Sequence, residues 1–379
     1  MVVDYLPGAH TSRRPTTMRS SRTTPAARTW LLATPLLLAF VASPSVAAAQ
    51  HPPIDEGERS QPHIEEGVDY RVYDRSGTRV LLPEIVSAVL GEDVLIVGEE
   101  HDDMIGHAFE TALLDKVLEE VGGAARSGRT VVLSLEMFER DVQYVLDEYL
   151  EGLISEDHFL RSSRPWDDYD IRYRPLVESA RLAGAPVVAA NAPRRYVNRV
   201  SSDGPFALED LSDHARSYLP PLPYPGPSDV YRAQWDALME EAMAGLGGTE
   251  DPEVDAGDDL AETPAAEAEQ EDESARPYAV NPNVIHAQAL WDASMGHAIT
   301  EALVRHVGGF VVHFAGSFHV EKDTGIPERI ADYRPGTRVV SVVMTKVDDI
   351  DAWSEEDHAP LADYVVLTLK PSDGPEGDD

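Results

Sequence analysis

The chain contains no cysteine in its 379 residues. Disulfides, thiolate-bound zinc, iron–sulfur clusters and thiol nucleophiles are therefore excluded within it. A lipoprotein anchor is excluded as well, because it requires a cysteine at the processing site. Lysine is almost as scarce, with Lys116, Lys322, Lys346 and Lys370 the full set. Asp and Glu number 68 against 31 Lys plus Arg, a formal charge of -37. Such a surface repels the phosphates of nucleic acid and of anionic lipid, so neither fits as a partner. It suits a saline habitat and equally serves solubility; composition does not separate the two. Apolar residues, at 42%, are not lacking, and suffice for one large α/β domain or two modest ones.

The amino-terminal segment reads as an export address. Arg13, Arg14, Arg19, Arg22 and Arg28 form a basic region, and an apolar run from Trp30 to Val46 follows, broken by Pro35 and Pro44. Ala47-Ala48-Ala49-Gln50 then supplies small residues of the kind a signal peptidase reads. The run is short and proline-broken for a membrane span. Arg13-Arg14 lacks the apolar residues that follow a twin-arginine signal, and the long basic region makes Met18 an alternative start. Residues 1–49 are thus expected to be removed as a signal peptide, leaving a periplasmic or extracellular chain with no integral span. A polar leader over 50–67 follows, then a domain over 68–370 and a flexible tail over 371–379.

Within the domain, strand and helix patterns alternate. Tyr70–Tyr73 and Arg79–Leu81 flank the turn signal Asp74-Arg75-Ser76-Gly77, and a helix is expected over Pro83–Leu90. Val94–Val97 is a continuous apolar run, the mark of a strand buried on both faces of a parallel sheet, and Val131–Leu135, Pro186–Ala190, Phe310–Phe314 and Val339–Met344 are expected as further, largely apolar strands. Tyr364–Leu369 is expected as an edge strand. Phe109, Leu113, Val117 and Val121 recur every four residues, a helix that Gly122-Gly123 stops. The fold class that follows is α/β: a mainly parallel sheet flanked by helices, with a long, mostly helical excursion before the fourth core strand. Inside that excursion, Thr249–Ser274 holds twelve acidic residues and no basic or aromatic ones, and is expected to be a disordered insertion.

In such folds ligands bind outside the carboxyl ends of the strands. The first core run leads into Gly98-Glu99-Glu100-His101, the second into Glu136-Met137-Phe138, the fourth into Gly316-Ser317-Phe318-His319. A parallel sheet would bring Glu99, His101, Glu136 and His319 to one rim. Imidazole and carboxylate together can hold a divalent metal ion or act as acid and base in catalysis. Asp102 and Asp103, just past a strand, equally suit a helix N-cap. His107, His158, His214, His297 and His306 show no such spacing and read as solvated or packed; His313 reads as a strand residue. A second cluster, Arg164-Pro165-Trp166-Asp167-Asp168-Tyr169-Asp170-Ile171-Arg172-Tyr173-Arg174-Pro175, mixes aromatics with Arg. It suits a planar, carboxylate-bearing ligand, or a loop pinned to the core by its rings. A tyrosine phenolate is also a haem-iron ligand.

From Tyr70 to about Met344 the chain resembles the ChaN-like haem-binding uptake family, in the superfamily that also holds Tiki proteases and erythromycin-esterase-type enzymes. The residues that carry the resemblance include Val97-Gly98-Glu99-Glu100-His101-Asp102, Ser134-Leu135-Glu136-Met137-Phe138, Trp166 with Tyr169 and Tyr173, and Asn191-Ala192-Pro193-Arg194-Arg195. Gln288–Met295 and Gly316-Ser317-Phe318-His319-Val320 complete it. The resemblance implies an exported haem- or iron-binding protein, with Trp166, Tyr169, Tyr173 and Arg194 about the porphyrin and Tyr or His reaching the iron. Haem or another small ligand is then the partner, with a homodimer one assembly left open. Related branches imply the alternative, a metal-dependent hydrolase or protease built on Glu99, His101, Glu136 and His319. The acidic insertion and the missing anchor cysteine depart from the uptake lipoproteins.

Export carries its own check. Amino-terminal sequencing of the protein secreted by a bacterial host should begin near Gln50; a membrane-retained chain beginning at Met1 or Met18 would refute cleavage.

Overall fold

A computed structural model describes residues 61–123, 128–245 and 281–371. The expectations for the signal peptide, the acidic insertion and the tail beyond 371 lie outside the described residues; of the polar leader, 61–67 are described.

Eight strands form one sheet: β1 (Tyr70–Asp74), β2 (Arg79–Val80), β3 (Val94–Glu99), β4 (Val131–Glu139), β5 (Val187–Asn191), β6 (Phe310–Gly316), β7 (Val339–Val347) and β8 (Tyr364–Leu369). Their spatial order is β2-β1-β8-β7-β3-β6-β4-β5. The six from β8 to β5 run parallel, and β1 is antiparallel to both β2 and β8. The parallel, helix-flanked sheet expected from the apolar runs is therefore present. β3 and β6 lie at the centre and are buried along their whole length, which is why their sequences show no polar alternation.

The carboxyl-terminal strand departs from expectation. β8 is not an edge strand, since it lies between β1 and β7. Its Val365, Val366 and Leu367 are fully buried, and the amino-terminal hairpin takes the edge instead. Such an order reflects a non-local pairing of the two ends of the domain, which no local pattern encodes.

The helices are α1 (Leu82–Ala88), α2 (Met104–Glu120), α3 (Gln143–Leu150), α4 (Glu156–Ser163), α5 (Tyr169–Arg172), α6 (Arg174–Ala183), α7 (Arg194–Asp203), α8 (Asp213–Arg216), α9 (Asp229–Gly245), α10 (Val284–Arg305) and α11 (Ile326–Tyr333). The excursion expected between the third and fourth core strands is helical as read, holding α7 to α10. Alternate residues of each strand feed two cores. Leu95 and Val97 pack with Leu113, Val117 and Leu176 beneath α2 and α6. Val94 and Ile96 pack with Met295, Ile299 and Ile330 beneath α10 and α11. Each fully buried Val, Leu or Ile contributes about 1.5–3 kcal/mol. The end of the leader joins this body: the Gln61 side-chain amide donates to the His107 and Arg172 carbonyls, and Ile64 packs on the first core.

One strand position is polar on both sides of a strand pair. His313 of β6 sits beside Ser134 of β4, its Nδ1 2.9 Å from the hydroxyl. Burial holds the imidazole down at about 3, so it stays neutral while the same residue in the unfolded chain takes up a proton near its ordinary 6.5. The stability it allows is full above about pH 6.5 and is lost as the pH falls toward 3, at roughly 1 kcal/mol per pH unit. Urea unfolding at pH 7.0 and 5.5 should show a smaller loss on acidification for His313→Gln than for the parent; equal losses would contradict this.

Candidate functional site

Both Gly-x-x-His segments lie at the carboxyl edge of the sheet centre, side by side and in close contact. Glu99 pairs with Gly316 and Gly98 with Ala315 in the β3–β6 register. A Cβ on Gly98 would come within 3.0 Å of the Ser317 Cα, and one on Gly316 within 3.1 Å of His101 Cε1 and Nε2. Each glycine thus makes room for the other segment.

The segment after β3 is fixed at every residue. Asp103 is the N-cap of α2, accepting from the Ile105 N–H and, at 2.6 Å, from the Thr368 hydroxyl of β8. Asp102 accepts from Lys346 Nζ, and Glu100 from the Lys346 N–H at 2.8 Å. The capping role holds for Asp103, while Asp102 is an ion-pair partner. The pairs leave Glu99 and His101 as the side chains directed at the site.

Glu99 is 3% exposed. Its Oε1 accepts from His101 Nδ1 at 2.7 Å and from the Tyr173 hydroxyl at 2.7 Å. Burial by itself would raise this carboxyl, yet the hydrogen bond from His101 and the charges of His107 and His101 hold it down at about 2. His101 shows the reciprocal effect: burial opposes its charge, but Glu99 and the more distant Glu136 raise it above the usual range. Its side chain is 29% exposed, and Nε2 has no protein partner among the described residues. The Trp166 ring stands edge-on to it, centroids 5.0 Å apart, and edge-on to Tyr173 at 5.8 Å.

The second half of the rim belongs to α10. His319 Nδ1 lies 2.6 Å from Asp292 Oδ1, and its Nε2 3.7 Å from Glu136 Oε1. Glu136 Oε2 accepts from the Gly316 N–H at 2.7 Å. Against the cost of burial, the charges of Asp292 and Glu136 raise His319 to about 9. Trp291 and Phe318 flank its ring.

The four rim residues read from sequence are therefore brought together as two carboxylate-backed histidines, Glu99–His101 and Asp292–His319, with Glu136 beside the second. They do not close into one tight set of ligand atoms. Among the described residues, the one trio of ligand atoms within 4.8 Å of one another is Glu99, His107 and Glu110. The aromatic cluster divides. Trp166 and Tyr173 adjoin the rim, whereas Tyr169 lies in a ring cluster with Phe138 and Phe159, its phenol buried without a hydrogen-bond partner among the described residues and its ionisation pushed far up by that burial. Arg194 opens α7, half-buried and near the charge of Glu139. Arg164 and Arg195 are engaged by Glu139 and Asp141.

Three site residues escape a strand-end reading. His107 and Glu110 lie on the core-facing stripe of α2, in step with Leu114 and Val117, and Asp292 is the lone acid in the apolar run Ala289–Met295. A charged residue at an apolar position of a helical period was the available signal.

The family model of haem-binding uptake proteins, Tiki superfamily, ChaN, matches residues 85–330. Among solved structures, one describing cofacial haem binding to ChaN of Campylobacter jejuni superposes with a TM-score of 0.53 at 16% identity, covering 81% of this chain and 99% of that one. The type III effector HopBA1 gives a TM-score of 0.36 at 11% identity, over 76% of this chain and 94% of its own. An erythromycin esterase, EreC, in its open conformation also gives 0.36 at 11%, over 79% and 82%. No curated protein matches. The family model spans well over half of the chain, including α2, the β4 glutamate and the second Gly-x-x-His segment, and the chain belongs to the haem-binding uptake family of the Tiki superfamily, the family of ChaN.

Proposed function

We propose that the protein is exported and binds haem at the sheet rim, with His101 presenting Nε2 to the iron. The observation that carries this reading is the state of the three candidate ligands. The Tyr173 hydroxyl is committed to Glu99, and the Tyr169 phenol is enclosed among aromatic rings. His101 alone of the three has its ligand atom open. The donor set also fits the group. An imidazole whose Nδ1 is held by a carboxylate is oriented and made more basic at Nε2, as in metal-ligating histidines generally. Bound haem would supply an iron centre that a histidine nitrogen can hold. Trp166, edge-on to His101, would pack against the porphyrin, and Arg194, beyond the end of β5 on the same edge of the sheet, would face its carboxylates. Export is supported by the basic region, apolar run and small-residue site before Gln50; among the described residues no helix is long and apolar enough to cross a membrane.

One observation favours a second reading, hydrolysis. Asp292–His319, with Glu136 next to it, is built like a general acid, an imidazole kept protonated by the carboxylates around it, and a divalent ion bound by His101, His319 and a glutamate would activate water there.

Visible spectra of the purified chain titrated with haemin separate the two. Under the haem reading a Soret band shift saturates, His101→Ala weakens haemin binding about tenfold or more, about 1.4 kcal/mol, and Tyr173→Phe leaves the ligand band in place. If His101→Ala binds like the parent while Tyr169→Phe or Tyr173→Phe loses the band, the iron ligand is a tyrosine. Ester hydrolysis by the parent that disappears in His319→Ala, without a Soret shift, would favour the second reading.

The close approach of the two glycine segments yields a further expectation. In Gly316→Ala the new methyl would meet the His101 ring at 3.1 Å, so it should weaken haemin binding several-fold while lowering stability by only about 1–2 kcal/mol. Unchanged binding in a folded Gly316→Ala protein would show that His101 does not face the ligand.

A further inference from the structure

Beneath the rim, on the interior side of Glu99, lies a polar cluster that haem binding does not use. Among the described residues, Glu99 Oε1 is taken by His101 and Tyr173, but Oε2 is buried with no donor. Glu110 is fully buried, and its Oε1 likewise has no donor. His107, 1% exposed, lies between them, with Nδ1 3.0 Å from Glu110 Oε2 and 3.4 Å from Glu99 Oε2. Its other nitrogen, Nε2, lies 2.9 Å from the backbone carbonyl oxygen of His101. A carbonyl oxygen only accepts, so Nε2 carries the hydrogen, and Nδ1 aims either a lone pair or a second proton at two carboxylates. A bare lone pair facing two carboxylates in a dry interior is untenable. Something positive belongs at that point.

We propose that this point is a closed site for one divalent first-row metal ion, held by Glu99 Oε2, His107 Nδ1 and the Glu110 carboxylate. The donor atoms lie within 4.8 Å of one another, and the two separations from Nδ1, 3.0 and 3.4 Å, match the ligand–ligand edges expected when bonds are about 2.1 Å long. Imidazole with two carboxylates and no thiolate suits zinc, manganese or ferrous iron. A Glu110 carboxylate binding through both oxygens would bring the donors to four and satisfy both orphaned atoms. The hydrogen bond from Nε2 to a backbone carbonyl is the outer-shell support that orients a ligating histidine. Because that carbonyl is His101's own, the ion would also fix the segment that presents the rim histidine. The site is a structural one, and its existence does not depend on the haem reading.

The competing occupant is a proton shared by the two carboxyl groups beside a charged His107. Glu110→Gln separates the two, since the amide reproduces the shape and neutrality of a protonated Glu110 but is a poor metal ligand. The full chain would be produced haem-free in medium supplemented with zinc or manganese and dialysed against calcium to clear the acidic surface. Its metal content would be measured by mass spectrometry and its melting temperature by calorimetry. The expected result is about one zinc or manganese per chain in the parent and in the His101→Ala/His319→Ala double variant, near none in Glu110→Gln, and a melting temperature several degrees lower in Glu110→Gln. Should Glu110→Gln fail to fold, X-ray absorption at the metal edge of the parent decides, with a nitrogen/oxygen shell containing one imidazole expected. A parent without stoichiometric metal, a Glu110→Gln protein with an undiminished ion, loss of the ion in the rim double variant, or a shell with two or more imidazoles would overturn the site.

Discussion

A single buried carboxylate organises this protein's functional edge. Glu99 ends a strand that is enclosed on both faces, and an ionised carboxylate there would cost several kcal/mol unless its oxygens were satisfied. Its partners come from three parts of the chain: His101 from the adjoining turn, Tyr173 from the start of α6, and His107 with Glu110 from α2. The attraction of the neighbouring imidazoles outweighs the burial that would otherwise keep the group neutral. That balance makes Glu99 a hinge between an outward face, where it orients a rim histidine, and an inward face, where it meets a second acid.

Around that charge the backbone is tied down by residues that do no chemistry themselves. Lys346 holds both Glu100 and Asp102, and Asp103 joins the start of α2 to Thr368 of β8. Segments more than 240 residues apart in sequence thus meet at the loop that carries His101. The placement of β8 inside the sheet, between β1 and β7, belongs to the same arrangement, since an edge strand would leave Thr368 less firmly positioned. Fixing the loop in this way keeps the His101 imidazole pre-oriented, which lowers the ordering cost of any ligand it receives.

The rim has two halves because the sheet has two faces. Glu99, His101 and Tyr173 belong with α2 and α6, and Asp292 and His319 with α10; they meet where Gly98 and Gly316 let the backbones approach. Each histidine rests its Nδ1 on a buried acid, so both present the other nitrogen in a defined orientation. Such a pair can bind a metal centre or relay a proton. The difference in exposure distinguishes the halves: His101 opens outward, while His319 is enclosed between Trp291, Phe318 and Asp292.

The apolar runs determined the sheet and its parallel character, because strands buried on both faces are mostly apolar along their length, with few buried polar residues such as Ser134 and His313. Both Gly-x-x-His segments were equally legible, since each follows such a run and strand ends are where α/β ligands bind. The sequence also disclosed Trp166 and Tyr173 as ring-bearing neighbours of that edge, without separating them from Tyr169, whose identical chemistry is turned into an aromatic core. His107, Glu110 and Asp292 were hidden by their helical setting, in which one polar residue on an apolar stripe has no visible partner. Partnership across a fold is a property of distance in space, and only the packing of α2 and α10 onto the strand ends brought these acids and histidines together. The order of the strands was decided at the same level, because it is set by contacts between the two ends of the domain, and local periodicity carries no information about them.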